Sequence, residues 1–315
     1  MQTDMRVTFL GTAGALPSIE RAPSAVLLER EGDRLLFDCG EGTQRQMMRY
    51  RTGFGIDAIC ISHLHGDHIL GIPGLLQTMD FNGRSTALQV IAPPGGQPAI
   101  EELIGVGGFR PSFPIELSTA TPGRPAIDAE DYSVIPVRTD HRGGPSVGFL
   151  LREAPRLGRF DREAAEALGV PPGPLFGRLH RGESVELEDG QVIHSEEVVG
   201  PSRPGRQVLY TGDSRPVGTV DEASGAMDLM IHDATFTEAD AARAESTGHS
   251  TAAQAAMDAV ANDARRLALV HLSSRYGGDT SGVLAEARAA APDVTVLAPA
   301  DGETVEIPFQ ADGHV

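Results

Sequence analysis

Short apolar runs of strand length recur along the chain: VTFL, AVLLE, RLLFD, IDAICIS, ALQVIA, YSVIPV, SVGFLL, QVLYT, DLMIHD, LALVHL, VTVLAP and TVEIP. Their length and β-branched or aromatic content predict buried strands. Between them, EGTQRQMMRY, ILGIPGLLQTM, TAAQAAMDAVAND and GVLAEARAAA repeat apolar residues at helical spacing. Strands interleaved with helices predict a mixed α/β fold whose sheets lie under helices.

One stretch departs from that rhythm. Residues 153–191 read EAPRLGRFDREAAEALGVPPGPLFGRLHRGESVELEDGQ. FDREAAEAL predicts a short helix, whereas the prolines and glycines of VPPGPLFG predict an interruption of regular structure, since proline removes a donor and glycine adds backbone freedom. The segment reads as an insertion, and long inserts of this kind are often functional.

The candidate chemistry concentrates at residues 62–68, SHLHGDH, which hold three of the ten histidines. The motif follows IDAICIS directly, so its side chains fan out from the carboxyl end of a buried strand, where α/β proteins place ligands. A lone histidine there would read as a polar loop residue, but His63, His65, Asp67 and His68 together predict a metal site. Three further candidates stand where strand-like runs end: His141 after VIPVRTD, Asp213 after QVLYTG and His271 in LALVHL. Imidazole and carboxylate without thiolate suit zinc, with manganese or iron as alternatives. Seven such ligands, one carboxylate bridging, suffice for two ions, and a pair about 3.5–4 Å apart activates water for phosphoryl displacement.

Composition changes the picture in one respect. Forty-four acidic residues face 26 basic ones, all arginine, for a net charge of −18. At molar salt the Debye length falls to about 3 Å and self-repulsion is screened, which suits a salty cytoplasm. The competing reading is a chain that avoids nucleic acid, because polyanions favour basic surfaces. Cys39 and Cys60 lie in apolar runs and read as buried thiols in a reducing, cytoplasmic setting. No run is long enough to span a membrane, and MQTDMRVTFL lacks the features of a signal peptide.

HLHGDH, with its later histidine, GD aspartate and final histidine, resembles the metallo-β-lactamase superfamily. That resemblance implies a four-layer αββα sandwich over residues 1–315. It implies one ion held by His63, His65 and His141, another by Asp67, His68 and His271, and Asp213 between them. Within the superfamily, VTFLGTAGALPSIER, DCGEGTQRQMMR, GIPGLLQTMDFNGR, LGVPPGPLFGRLHRGE, MIHDATF and HLSSRY are similar to the ribonuclease Z family, as found in halophilic archaea. This implies an endonuclease that removes the 3′ trailer from precursor tRNA, leaving a 3′-hydroxyl on the tRNA and a 5′-phosphate on the trailer. It implies a homodimer with two zinc ions per subunit, and makes 153–191 a flexible, extruded arm that grips tRNA through residues such as Gly173, Pro174 and Arg178. A small-molecule phosphodiesterase or thioester hydrolase of the same superfamily is the alternative, and a metal-bound RNA-binding subunit without catalysis a third.

The resemblance also gives roles to the remaining polar groups. Asp67 becomes both ligand and orienter of the attacking water, and His249 the acid that protonates the leaving oxygen. Asp233 is its partner, although the family has glutamate there, so its reach is the open geometric question. A helix start at Ser250 or Thr251 disfavours an imidazolium at His249, so that role needs a compensating anion, either the scissile phosphate or a nearby carboxylate such as Asp233. Ser273, Ser274 and Arg275, directly after His271, are the expected phosphate contacts. His180 is a further candidate for RNA contact, His232 reads as a packed strand residue, and His194 and His314 as solvated ones.

Overall fold

Every one of the twelve apolar runs lies on a strand of the computed structural model, which describes residues 4–276 and 278–310; His314 falls outside them. The amino-terminal half supplies β1 (Met5–Gly11), β2 (Ala25–Arg30), β3 (Asp33–Phe37), β4 (Ala58–Cys60), β5 (Leu88–Ala92) and β6 (Ile115–Thr119). β7 (Ile127–Asp128), β8 (Tyr132–Arg138) and β9 (Val147–Glu153) follow, then the short pair β10 (Val185–Glu186) and β11 (Val192–Ile193). The carboxyl-terminal part adds β12 (Gln207–Tyr210), β13 (Leu229–Asp233), β14 (Arg266–Val270), β15 (Thr295–Leu297) and β16 (Thr304–Glu306). β6, β7, β10 and β11 escaped the sequence reading because they are short or largely polar and exposed.

The helices are α1 (Thr43–Arg49), α2 (Gly66–Ile69), α3 (Ile72–Phe81), α4 (Gln97–Ile104), α5 (Arg162–Ala167), α6 (Pro174–His180), α7 (Ala241–Thr247), α8 (Ala252–Ala261) and α9 (Ser281–Ala290). Among the described residues, no helix is long and apolar enough to cross a membrane.

The chain divides into two units, Met1–Arg152 with Arg206–Val315, and Glu153–Gly205. In the larger unit one sheet runs β16-β1-β2-β3-β4-β5-β6 and the other β15-β14-β13-β12-β9-β8-β7. Strand residues alternate between two apolar layers, as a pleat buried on both faces requires. Leu35 and Phe37 of β3, Phe149 and Leu151 of β9, and Val208 and Tyr210 of β12 meet between the sheets. Leu36 turns outward to Met47 of α1 and to Ile72, Leu75, Leu76 and Met79 of α3. Leu150, Leu209 and Met230 turn outward to Ala252, Ala255, Ala256 and Ala259 of α8 and to Val283 and Ala287 of α9. Each fully buried leucine contributes about 1.5–3 kcal/mol, so three apolar layers account for helix, sheet, sheet, helix. This is the four-layer αββα order that the resemblance implies.

Two features of this unit place the chemistry. β3 to β6 run parallel to one another, as do β12 to β15, so their carboxyl ends gather on common rims. His63, Asp213 and His271 then lie just beyond β4, β12 and β14, and Asp233 is the last residue of β13.

The smaller unit has its own apolar centre of Ala165, Val170, Leu179, Val185, Ile193 and Val198. It extends past residue 191 because Ile193 and Val198 complete that centre. VPPG interrupts regular structure as expected, between α5 and α6, but the interruption is shorter than the motif: α6 begins at Pro174. A first-turn N–H has no helical partner, so proline there sacrifices nothing, and its fixed φ already suits the helix.

Candidate metal centre

His63 and His65 sit in the loop after β4, and Asp67 and His68 on the single turn of α2. The ligand atoms of His63, His65, His141 and Asp213 all lie within 4.8 Å of one another, and so do those of Asp67, His68, Asp213 and His271. Asp213 belongs to both groups. Its Oδ2 lies 3.7 Å from His63 Nε2, 3.3 Å from His68 Nε2, 3.8 Å from His141 Nε2 and 3.2 Å from His271 Nε2.

The far side of several rings is anchored. His141 Nδ1 donates to the Gly248 carbonyl at 2.7 Å, which leaves Nε2 as the lone-pair nitrogen facing inward. His63 Nδ1 lies 3.0 Å from Ser62 Oγ, and His68 Nδ1 lies 2.7 Å from Asp38 Oδ2. Burial holds both His63 and His141 below the ordinary imidazole pKa, hence neutral and fit to ligate. Burial opposes the charged forms of Asp67 and Asp213 too. Their histidine neighbours outweigh it and hold both carboxylates far below the usual range.

Asp38 was not anticipated from the sequence. Fully buried at the end of β3 with φ 57°, it accepts from Ser62 N and Oγ at 2.7 Å each, from His68 Nδ1, and from Tyr210 Oη at 2.6 Å. The rule that found Asp213, an acid just after an apolar strand, applies equally to RLLFD. His271 also has a left-handed backbone, φ 58°, and a Cβ at Gly14 would lie 2.6 Å from its carbonyl oxygen, so only glycine permits that approach.

Two buried polar atoms in this cluster have no hydrogen-bond partner, His68 Nε2 and Asp213 Oδ1. Such atoms are costly unless something satisfies them. Three imidazole nitrogens also crowd at short range: His65 Nδ1 lies 3.0 Å from His63 Nε2 and 3.1 Å from His141 Nε2. Lone pairs converging in this way fit a divalent cation, and ring nitrogens with carboxylates exclude the all-oxygen shell that magnesium and calcium prefer.

His249 lies two residues before Thr251, the N-cap of α8, whose hydroxyl and Gln254 form a capping box. Its Nδ1 is 2.7 Å from Asp233 Oδ2, so the aspartate reaches it. A cavity of about 340 Å³ opens onto Ala15, His65, Asp67, His141, Asp213, His249 and His271. Arg142, unpredicted, is on the same wall. Ser273, Ser274 and Arg275 are not, and the Arg275 guanidinium is 3.3 Å from Asp240. In the smaller unit Gly173 precedes α6, Pro174 begins it, and Arg178 pairs with Glu183 at 2.8 Å. His180 Nε2 lies 2.9 Å from the Gly158 carbonyl. His194 is exposed beside Ser184, and His232 is buried beside Asp258.

The profile of the metallo-beta-lactamase superfamily matches residues 19–265. Over nearly its whole length the chain is similar to Ribonuclease Z of Natronomonas pharaonis, 56% identical over 305 residues, covering 97% of this chain and 98% of that protein. It is 54% identical to Ribonuclease Z of Haloferax volcanii over 310 residues, 98% of this chain and 97% of the other. Among solved structures, human tRNase Z, short form, superposes with a TM-score of 0.66 at 27% identity, covering 96% of this chain and 99% of that one. The fold protein YhfI of Bacillus subtilis gives 0.65 at 20% identity over 96% and 99%, a likeness of fold alone. Sandwich, ligand cluster and end-to-end similarity agree: the chain belongs to the metallo-beta-lactamase superfamily and, within it, to the ribonuclease Z family.

Proposed function

We propose that this protein is a tRNA 3′ endonuclease that hydrolyses the phosphodiester joining a precursor tRNA to its 3′ trailer, with two zinc ions in the centre. The observation that carries the reading is Asp213, shared by two groups of ligand atoms in a chain more than half identical, end to end, to proteins named Ribonuclease Z. His63, His65 and His141 would hold one ion, Asp67, His68 and His271 the other, with Asp213 common to both. The nitrogen-rich donor set supports zinc, and manganese or iron fits the same ligands. When bound, such ions supply Lewis acidity and lower the pKa of water.

The chain's own groups perform the rest. Asp67 orients the attacking water. His249, held as an imidazolium by Asp233, gives its proton to the departing 3′ oxygen, so the tRNA keeps a hydroxyl and the trailer a 5′ phosphate. Arg142 offers a guanidinium at the cavity wall for the phosphate. Ser273, Ser274 and Arg275, beyond that wall, hold phosphates farther along the strand. Gly173, Pro174 and Arg178 of the inserted arm contact the tRNA body.

Exposed Leu16 and Ile19 between β1 and β2, Met48 of α1, Leu64 and Leu70 flanking α2, and Phe81 of α3 support a homodimer. The two free, buried thiols are consistent with a cytoplasmic location, and the acidic surface with a halophilic one.

The arm provides the test. Arg152 and Gln207 are paired across β9 and β12, so residues 154–205 can be replaced by a tight turn that leaves both strands whole. The shortened protein should lose cleavage of a 3′-extended tRNA transcript while retaining hydrolysis of a small chromogenic phosphodiester. Equal loss of both would favour a small-substrate hydrolase.

A further inference from the structure

Thr235 lies two residues beyond the end of β13 and is nearly buried. Its Oγ1 is 2.7 Å from Asp233 Oδ1 and 2.8 Å from His271 Nδ1. A hydroxyl has one proton to give. Asp233 already accepts from Thr235 N at 2.8 Å, from Ser214 N at 3.1 Å and from His249 Nδ1, so it is the acceptor. The Thr235 proton therefore points to Asp233, and the hydroxyl lone pair receives Nδ1–H of His271. A shared contact is compatible with this: Ala15 N–H points between Asp67 Oδ2 at 3.0 Å and His271 Nε2 at 3.3 Å, as a lone pair on Nε2 allows. That nitrogen faces Asp67 Oδ2 and Asp213 Oδ2, each at 3.2 Å.

We propose that Thr235 is a positioning residue that joins the two halves of the machinery: its hydroxyl fixes the tautomer and ring plane of the metal ligand His271 and, through Asp233, the ring of the acid His249. One hydrogen-bonded chain, His271 to Thr235 to Asp233 to His249, then sets metal affinity and acid placement together. Partners of this kind behind a ligating histidine are typically worth roughly 10–100-fold in metal affinity. The inference rests on the reading of His271 as a ligand.

The test compares Thr235→Val, which keeps the shape and removes the hydroxyl, with Thr235→Ser, which restores it. Zinc affinity is measured by chelator competition without RNA, alongside kcat and KM on a tRNA transcript at saturating zinc and a thermal melt. In T235V one zinc equivalent should bind roughly tenfold to a hundredfold more weakly, and kcat should fall at saturating zinc with little change in KM. T235S should recover both. T235V with wild-type zinc affinity overturns the inference alone, and T235S as defective as T235V does so too, by assigning the effect to packing. Wild-type protein that binds no zinc removes the centre itself.

Discussion

His249 Nδ1 and Asp233 Oδ2 stand 2.7 Å apart, an imidazole in partial contact with solvent against a carboxylate with none. Burial alone would lower the His249 pKa, but the Asp233 charge and hydrogen bond outweigh it and raise the value to about 9. The acid form therefore persists through neutral pH, and kcat should decline only as pH rises through about 9. Asp233→Asn removes the anion and should move that alkaline limb down toward the free imidazole value of about 6.5. His249→Ala should lower kcat by roughly 10²–10⁴-fold, the usual worth of a general acid, with KM nearly constant. A pH–kcat profile unchanged in Asp233→Asn would remove His249 from the acid role.

Metal content separates the shared ligand from the unshared ones. Protein stripped with chelator and reloaded should hold two zinc equivalents by elemental analysis. Asp213→Ala should lose both, because its Oδ2 faces histidines of each group. His141→Ala should keep one. An Asp213→Ala protein that still binds two equivalents would refute the bridging assignment.

The Asp38 carboxylate is a stability prediction as well as a positional one. Removing it in Asp38→Ala strands buried donors of Ser62, His68 and Tyr210, each costing roughly 1–3 kcal/mol when unpaired. Tyr210→Phe deletes one donor together with its hydrogen bond and should cost about 1 kcal/mol. Urea unfolding of the two variants in molar salt gives the comparison. Equal losses would mean that the Tyr210 hydroxyl bond carries the whole effect and that the Ser62 and His68 contacts to Asp38 add nothing.

Salt should raise both stability and turnover. A charge of −18 repels itself and repels RNA at low ionic strength, and about 1 M salt shortens the Debye length to about 3 Å. Binding that relied on counterion release from basic side chains would weaken steeply over the same range. Melting temperature and kcat/KM measured from 0.1 to 3 M potassium chloride should both increase toward the upper end. A steady decline in kcat/KM would indicate a conventional electrostatic grip.

Pattern carried the reading of the sheets because nearly every strand of the sandwich interior is apolar on both faces. Leu35, Leu36 and Phe37 read as a strand whichever layer each enters. β6 failed that test, having only exposed or half-buried side chains. α6 was missed because proline at a helix start looks like proline against a helix until the register is known. At the centre, histidines and aspartates after strands were legible because metal chemistry demands those types. Asp38, Thr235 and Gly248 were not: each acts through a hydrogen bond to the back of a ring, and that contact depends on three-dimensional approach rather than spacing. That Arg142 lines the cavity while Arg275 turns to Asp240 likewise depends on approach in space.

The pairing of Arg152 with Gln207 has a consequence for how such a protein diversifies. Fifty-three residues leave and re-enter the sandwich at neighbouring points of one antiparallel ladder, Glu153 through Gly205. A segment bounded this way can be lengthened, exchanged or lost by a single recombination event without altering strand order on either side. On the role proposed for the arm, recognition of the substrate and the hydrolytic centre are separately heritable, so a change of client need not change the chemistry.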